Sequence, residues 1–146
     1  MTFKERLEYG EKAVEKTTDS FLENNIEYEY IVNPEKWKNT FGKELIYLKI
    51  YDLENGDVLL LKKLKCDIKR DKITLKSILN FKGDYFILWR ASLLECIVIE
   101  PKEILNKINI KNCTHVDSTD EGFTFEQLQK LNHMTLDQFI EYLKTI

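Results

Sequence analysis

Apolar and polar positions repeat with two different periods along this chain, and each change of period marks a new element. Phe3, Leu7, Gly10, Val14, Thr17 and Phe21 recur at helical spacing behind a Thr2/Glu5 capping-box pair, which predicts a helix with one buried stripe ending near Asn24-Asn25. Ile26, Tyr28, Tyr30 and Val32 then alternate with Glu27 and Glu29, the pattern of a half-buried strand, closed by Asn33-Pro34. A loop follows to Lys43, pinned by Trp37 and Phe41. Leu45 to Leu53 is rich in strand-forming residues and runs into Glu54-Asn55-Gly56-Asp57, where the Asn-Gly pair predicts a hairpin. The second strand starts at Asp57 and continues through Leu61. After a bend at Lys62-Lys63, Leu64, Cys66 and Ile68 alternate with Lys65, Asp67 and Lys69, so Asp67 and Lys69 share one face of a strand.

Ile73 to Phe81 fits either period, as a strand through Leu75, Ser77 and Leu79 or as a helical turn through Leu75, Ile78 and Leu79. Tyr85 to Arg90 and Leu93 to Glu100 read as strands, and Pro101 suits the first position of a helix from Lys102 to Ile108. Ser118 to Gly122 reads as a polar linker. Thr124/Gln127 and Thr135/Gln138 have capping-box spacing, each followed by apolar residues at helical period, so two short helices close the chain. The order predicts an α/β domain, a mixed sheet flanked by helices, over residues 1–146. Its core covers about 2–110, with a C-terminal helical extension over about 123–146.

Composition narrows this picture. A chain of 146 residues with 43% hydrophobic and 32% charged positions can bury one core without staples. The longest uncharged apolar runs, such as Tyr85 to Trp89, fall far below the ~20 residues that cross a bilayer. Met1-Thr2-Phe3-Lys4-Glu5 lacks the apolar run of a secretory signal, and a cytoplasmic location is expected. Cys66, Cys96 and Cys113 are odd in number and widely spaced, which fits reduced thiols. Cys113 and His115 form one Cys-x-His pair, and with His133 the only other histidine, a four-ligand zinc site would need ligands from scattered places, so zinc is not expected. The net charge of −3 argues against coating nucleic acid indiscriminately, but residues 62–76 carry seven bases against two acids. Such a stretch can hold phosphates, or it can be a lysine-rich strand edge that discourages pairing.

The chemistry-bearing residues cluster beside that stretch: Gly56-Asp57-Val58-Leu59-Leu60-Leu61, then Cys66-Asp67-Ile68-Lys69-Arg70, with ten residues from one aspartate to the other. This arrangement resembles the PD-(D/E)XK, or restriction endonuclease-like, nuclease superfamily, which places an aspartate on one strand and an acid-x-lysine on its neighbour. Aspartate replaces the commoner glutamate at 67, and Gly56 stands where the leading proline would be. Gly10-Glu11 on the first helix is similar to a glutamate that many members carry there. Tyr85 to Leu88 and Cys96 to Pro101 look like the strand pair after the motif. The resemblance covers roughly residues 2–106 and implies a restriction endonuclease-like core.

It also implies a site. Hydrolysis of a phosphodiester needs charge neutralisation and an activated water, which a hard divalent cation provides, and Mg²⁺ or Mn²⁺ prefers carboxylate oxygen. Asp57 and Asp67 are the candidate ligands, with the backbone carbonyl of Ile68 as the family arrangement adds; Asp52 is a rival to Asp57. Lys69 would orient or deprotonate the water, a role that burial or the nearby Arg70 would favour, and Glu11 would assist. Lys63, Lys65, Arg70, Lys72 and Lys76 would contact the backbone of DNA, or of RNA. A homodimer would let two such sites cut both strands. Each residue also has a plainer reading: Asp57 as a turn residue, Asp67 and Lys69 as a weak ion pair on an exposed strand face, Glu11 as a solvated helix residue. The alternative function is a nuclease-like module, from a virus or mobile element, that binds nucleic acid or a protein without cutting. Gly-rich phosphate loops, Gly-x-Ser-x-Gly and paired-histidine motifs are absent from the sequence, and two histidines leave a catalytic triad short of a base. Tyr28, Tyr30, Tyr47 and Tyr51 sit at strand spacing, where aromatic residues ordinarily pack rather than stack on bases.

Overall fold

The computed structural model describes residues 3–26, 28, 64, 66–81, 83–107, 114–115 and 121–145. The expected strand after Tyr28, the loop with Trp37 and Phe41, the hairpin bearing Asp52 and Asp57, and Lys63, Lys65 and Cys113 all lie outside the described residues.

The predicted first helix is α1, Phe3–Glu23, and it buries Ala13, Val14, Thr17, Thr18 and Phe21. Thr17 and Thr18 sit in a buried face because their hydroxyls return to the carbonyls of Ala13 and Val14, four residues back. Two strands come next in the main sheet, β1 (Cys66–Arg70), buried except for the half-buried Arg70, and, after an intervening unit, the wholly buried β3 (Tyr85–Trp89). They pair in parallel, with Asp67 opposite Phe86 and Lys69 opposite Leu88. Burial on both faces is the habit of parallel strands, which explains why Tyr85 to Trp89 shows no polar alternation. The intervening unit is β2 (Lys72–Thr74) followed by α2 (Leu75–Asn80). The ambiguous segment thus takes both forms in turn, with the switch at Thr74, whose side chain caps the helix by accepting from the Ser77 N–H.

β4 (Cys96–Ile99) returns antiparallel beside β3, and Pro101 opens α3 (Pro101–Lys107) as expected. The turn between β3 and β4 is longer than the sequence pattern predicts. Leu93 has a φ of 63° there, and Arg90 and Glu95 close the turn through a backbone bond of 2.8 Å.

The C-terminal segment departs most from expectation. It is woven into both sheets instead of being appended to a finished core. β5 (Thr114–His115) and β6 (Glu121–Thr124) join β2 in a three-stranded antiparallel sheet of order β2-β6-β5. Residues Glu121 and Gly122 are therefore strand, not linker. Gly122 pairs with Thr74 so closely that a Cβ would stand 2.4 Å from the Ile73 carbonyl oxygen, which rules out any side chain. α4 (Phe125–Gln129) follows directly, then β7 (Met134–Thr135) and α5 (Leu136–Thr145). β7 pairs with β4 and completes a four-stranded mixed sheet of order β1-β3-β4-β7. The predicted capping boxes at Thr124/Gln127 and Thr135/Gln138 form, while Thr2 of the third pair lies outside the described residues.

The core lies on both faces of this sheet. On one, Cys66, Ile68, Tyr85, Ile87, Trp89 and Val98 meet the buried stripes of α1 and α5. On the other, Phe86, Leu88, Ile97 and Ile99 meet Ile73 and Phe123 of the smaller sheet together with residues of α2, α3 and α4. The architecture is α/β, with a mixed central sheet between helices. Among the described residues no helix is long and apolar enough to cross a membrane.

Candidate functional site

Asp67 and Lys69 stand on alternate positions of β1, so both side chains leave the same face, the one that carries Phe86 and Leu88 on β3. Alternation with Cys66 and Ile68 would ordinarily place such residues in water. Here the second layer covers them, leaving Asp67 1% and Lys69 2% exposed. The pair is therefore not a weak ion pair on an exposed strand face. Lys69 Nζ lies 3.2 Å from Asp67 Oδ2 and donates to Ser77 Oγ at 3.2 Å. Ser77 Oγ also accepts from Thr74 Oγ1 at 3.0 Å, and Thr74 Oγ1 accepts from the Ser77 N–H. Asp67 Oδ1 is buried and has no hydrogen-bond partner among the described residues.

Moving two charges into such surroundings costs several kcal/mol per ion by order of magnitude, and their attraction often fails to offset it. Well-packed apolar residues would hold β1 at least as firmly. A buried ion pair with one oxygen unmet is therefore a candidate for chemistry and a poor candidate for a structural fastening. Chemically, it provides an anionic oxygen able to meet a cation, beside an amine whose position is fixed from two elements.

The other expected residues are not gathered here. Arg70 follows Ile68 to the opposite face. It donates to the carbonyl oxygens of Tyr9 and Ala91 and lies 3.7 Å above the Tyr9 ring, tying β1 to α1 and to the β3–β4 turn. Its guanidinium is thus engaged by the protein and turned away from Lys69, contrary to both roles expected for it. Glu11 is exposed on α1, the helix that covers that opposite face. The side chain of Ile68 also points there, and only its backbone belongs to the strand beneath the pair. Lys72 is half-buried on β2 and Lys76 is exposed on α2, so the basic stretch is divided among several environments. Asp57, Asp52, Lys63 and Lys65 are outside the described residues. Among the described residues, no three of His, Cys, Asp and Glu lie close enough to share a metal ion.

Ser77 and Thr74 were missed by sequence reasoning. The available signal was a threonine three residues before a serine at the start of an apolar helical turn, which is N-cap spacing. It was obscured because the same segment also fits a strand. Away from this pair, a concavity of about 190 Å³ lies between Tyr85, Val98, Glu100, Glu103 and the Asn132–Met134 loop. Burial, and then the neighbouring Tyr142 phenol and Glu100 carboxylate, push the Tyr85 phenol up to about 12. Of the thiols, Cys66 is buried and Cys96 half-buried; both are free, and burial raises both above their ordinary range, which keeps them protonated and unreactive. Compared with known protein families, curated proteins and solved structures, the chain gives no match.

Proposed function

We propose that this chain hydrolyses phosphodiester bonds in DNA with a divalent cation, Mg²⁺ or Mn²⁺, and that Asp67 and Lys69 are two of its working residues. The observation that carries this reading is a carboxylate and an amine paired at 3.2 Å on one strand face, with the second carboxylate oxygen left unmet. Asp67 Oδ1 is the hard anionic donor such a cation prefers, so the residue fits the role of ligand. Asp57 and the Ile68 carbonyl are the companion donors that the sequence resemblance implies. When bound, the cation supplies charge neutralisation at phosphate and a more acidic water. Lys69 holds positive charge where negative charge develops and orients the water. Lys72 and Lys76 contribute backbone affinity, while Arg70 and Glu11, on the far side of β1, take no part.

The test is cleavage of a panel of DNA substrates by the purified protein in Mg²⁺ or Mn²⁺. Asp67→Asn and Lys69→Met should keep the far-ultraviolet circular dichroism of the wild type and lose cutting by roughly a hundredfold or more. Undiminished cutting by both variants would remove these residues from the reaction, and cutting of RNA alone would change the substrate class.

The near-complete burial of the pair favours a second reading, a nuclease-like module that binds nucleic acid or a protein without catalysis. Thermal melting with divalent ions separates the two. Occupancy at a hundred times Kd stabilises a fold by about 2.7 kcal/mol, so a melting temperature unmoved by Mg²⁺ and Mn²⁺ supports the module.

A further inference from the structure

We infer that Ser77 is a positioning residue for Lys69, fixing the amine from a second element of the fold; this rests on the phosphodiesterase reading for its catalytic consequence, though not for its geometry. A lysine side chain is a point charge on a flexible four-carbon stem, so each anchor narrows the positions its amine can take. Asp67 supplies the first anchor, but it belongs to the same strand, two residues away, and moves with it. Ser77 belongs to α2 and approaches from the covering layer, so its contact of 3.2 Å holds Nζ from a different element than does the Asp67 contact, also 3.2 Å.

The serine oxygen is itself held. Its backbone N–H donates to Thr74 Oγ1 at 3.2 Å, and the Thr74 hydroxyl donates back to Ser77 Oγ at 3.0 Å. Thr74 is in turn fixed by the β2–β6 register opposite Gly122. The N-cap of α2 thus does two things: it ends a strand, and it turns a hydroxyl oxygen toward a buried ammonium. Thr74 and Ser77 are 5% and 2% exposed, so water does not compete for these bonds. Misplacing a reacting group by about an ångström can cost on the order of a hundredfold in rate, which gives the hydroxyl a kinetic consequence without any contact with substrate.

Two measurements on the full chain test this. In the first, Ser77→Ala should lower kcat for DNA cleavage by about tenfold to a hundredfold with KM unchanged, and Ser77→Thr, which keeps the hydroxyl, should restore most of it. In the second, which needs no activity, the Lys69 ammonium is followed by its nitrogen–proton cross-peak in nuclear magnetic resonance. Its protons should exchange with water at least about ten times faster in Ser77→Ala than in the wild type or Ser77→Thr. Unchanged exchange in a folded Ser77→Ala protein overturns the inference, and so does a fall in kcat with exchange unmoved, since the serine would then act by another route. If the wild type cuts nothing, the phosphodiesterase reading fails by itself, and the cross-peak alone decides whether Ser77 positions the amine. Should Ser77→Ala fold poorly, Thr74→Val, which removes the holder and leaves the serine, should speed exchange in the same sense.

Discussion

The two faces of the four-stranded sheet are built from the same strands and solve different problems. Beneath α1 and α5, β1 offers Cys66 and Ile68 to an apolar layer, and the polar groups there are matched: Trp89 Nε1 donates to Thr17 Oγ1 at 2.7 Å, and Thr17 donates to the Ala13 carbonyl at 2.8 Å. Beneath α2, α3, α4 and the smaller sheet, the same strand offers Asp67 and Lys69 to a layer containing Phe86, Leu88, Ile97 and Ile99, and one carboxylate oxygen stays unmet. Among the described residues these polar groups of the first face are paired, while the other face carries a buried ion pair whose cost folding alone does not require. The contrast marks where stability was given up, which is the ground for placing the proposed site on this face.

Separating the charges gives the largest expected effect. Asp67→Ala removes the carboxylate 3.2 Å from a buried lysine and should destabilise the protein by about 3–5 kcal/mol. Replacing both, as Asp67→Leu with Lys69→Met, should restore the wild-type value or exceed it by about 1–4 kcal/mol, because the second face then resembles the first. Urea unfolding of the three proteins checks this. A double variant as unstable as the single one would mean that the pair holds the fold together, and the contrast between the faces would vanish.

A smaller effect, confined to alkaline solution, comes from the apolar face. Tyr85 packs on Phe139 with ring centroids 4.9 Å apart, and its phenol is pushed up to about 12 from 10.0, first by burial and then by the charges around it. The unfolded chain therefore releases this proton at lower pH than the folded one. Stability from this group is complete below about pH 10 and is lost as pH rises toward 12. Tyr9 and Cys66 are raised as well and push in the same direction. Urea midpoints measured from pH 9 upward should fall more gently in Tyr85→Phe than in the wild type; equal slopes would show that the phenol is not protected by this face.

Which parts of this were legible in the sequence follows from the reach of each signal. Local signals could be read: the stripe of α1, Pro101 at the start of α3, the two C-terminal capping boxes, and the shared face of Asp67 and Lys69. Their burial could not be read, because alternation on one strand does not reveal that a second layer covers its polar side. The strand character of Glu121–Thr124 was hidden for a related reason. Gly122 looks like a linker residue in sequence, and only the approach of Ile73 and Thr74 from fifty residues earlier makes it a strand position. Arg70 misled for the opposite reason. It stands beside Lys69 in sequence, but a strand sends neighbouring side chains to opposite faces, and Tyr9 was waiting on the other one.

The smallest expected effect compares the two capping boxes, one serving each face. Thr124 caps α4, whose Phe125 and Leu128 belong to the charged face's layer, and Thr135 caps α5, whose Phe139, Ile140 and Leu143 belong to the apolar one. Each threonine also ends a strand, Thr124 opposite Lys72 and Thr135 opposite Ile97. Removal of a cap hydroxyl should cost about 1 kcal/mol in either place. The consequence for the site should nonetheless differ. The Phe125 N–H donates to the carbonyl of Asp71, the residue with a φ of 76° at which β1 turns into β2, so loosening α4 loosens the corner between Lys69 and Thr74. Thr124→Ala should therefore speed exchange of the Lys69 ammonium protons, while Thr135→Ala, at equal cost in stability, leaves them as they are. Equal exchange in both variants would show that the corner at Asp71 is rigid without its helix, and that the charged face depends on its covering layer no more than the apolar face does.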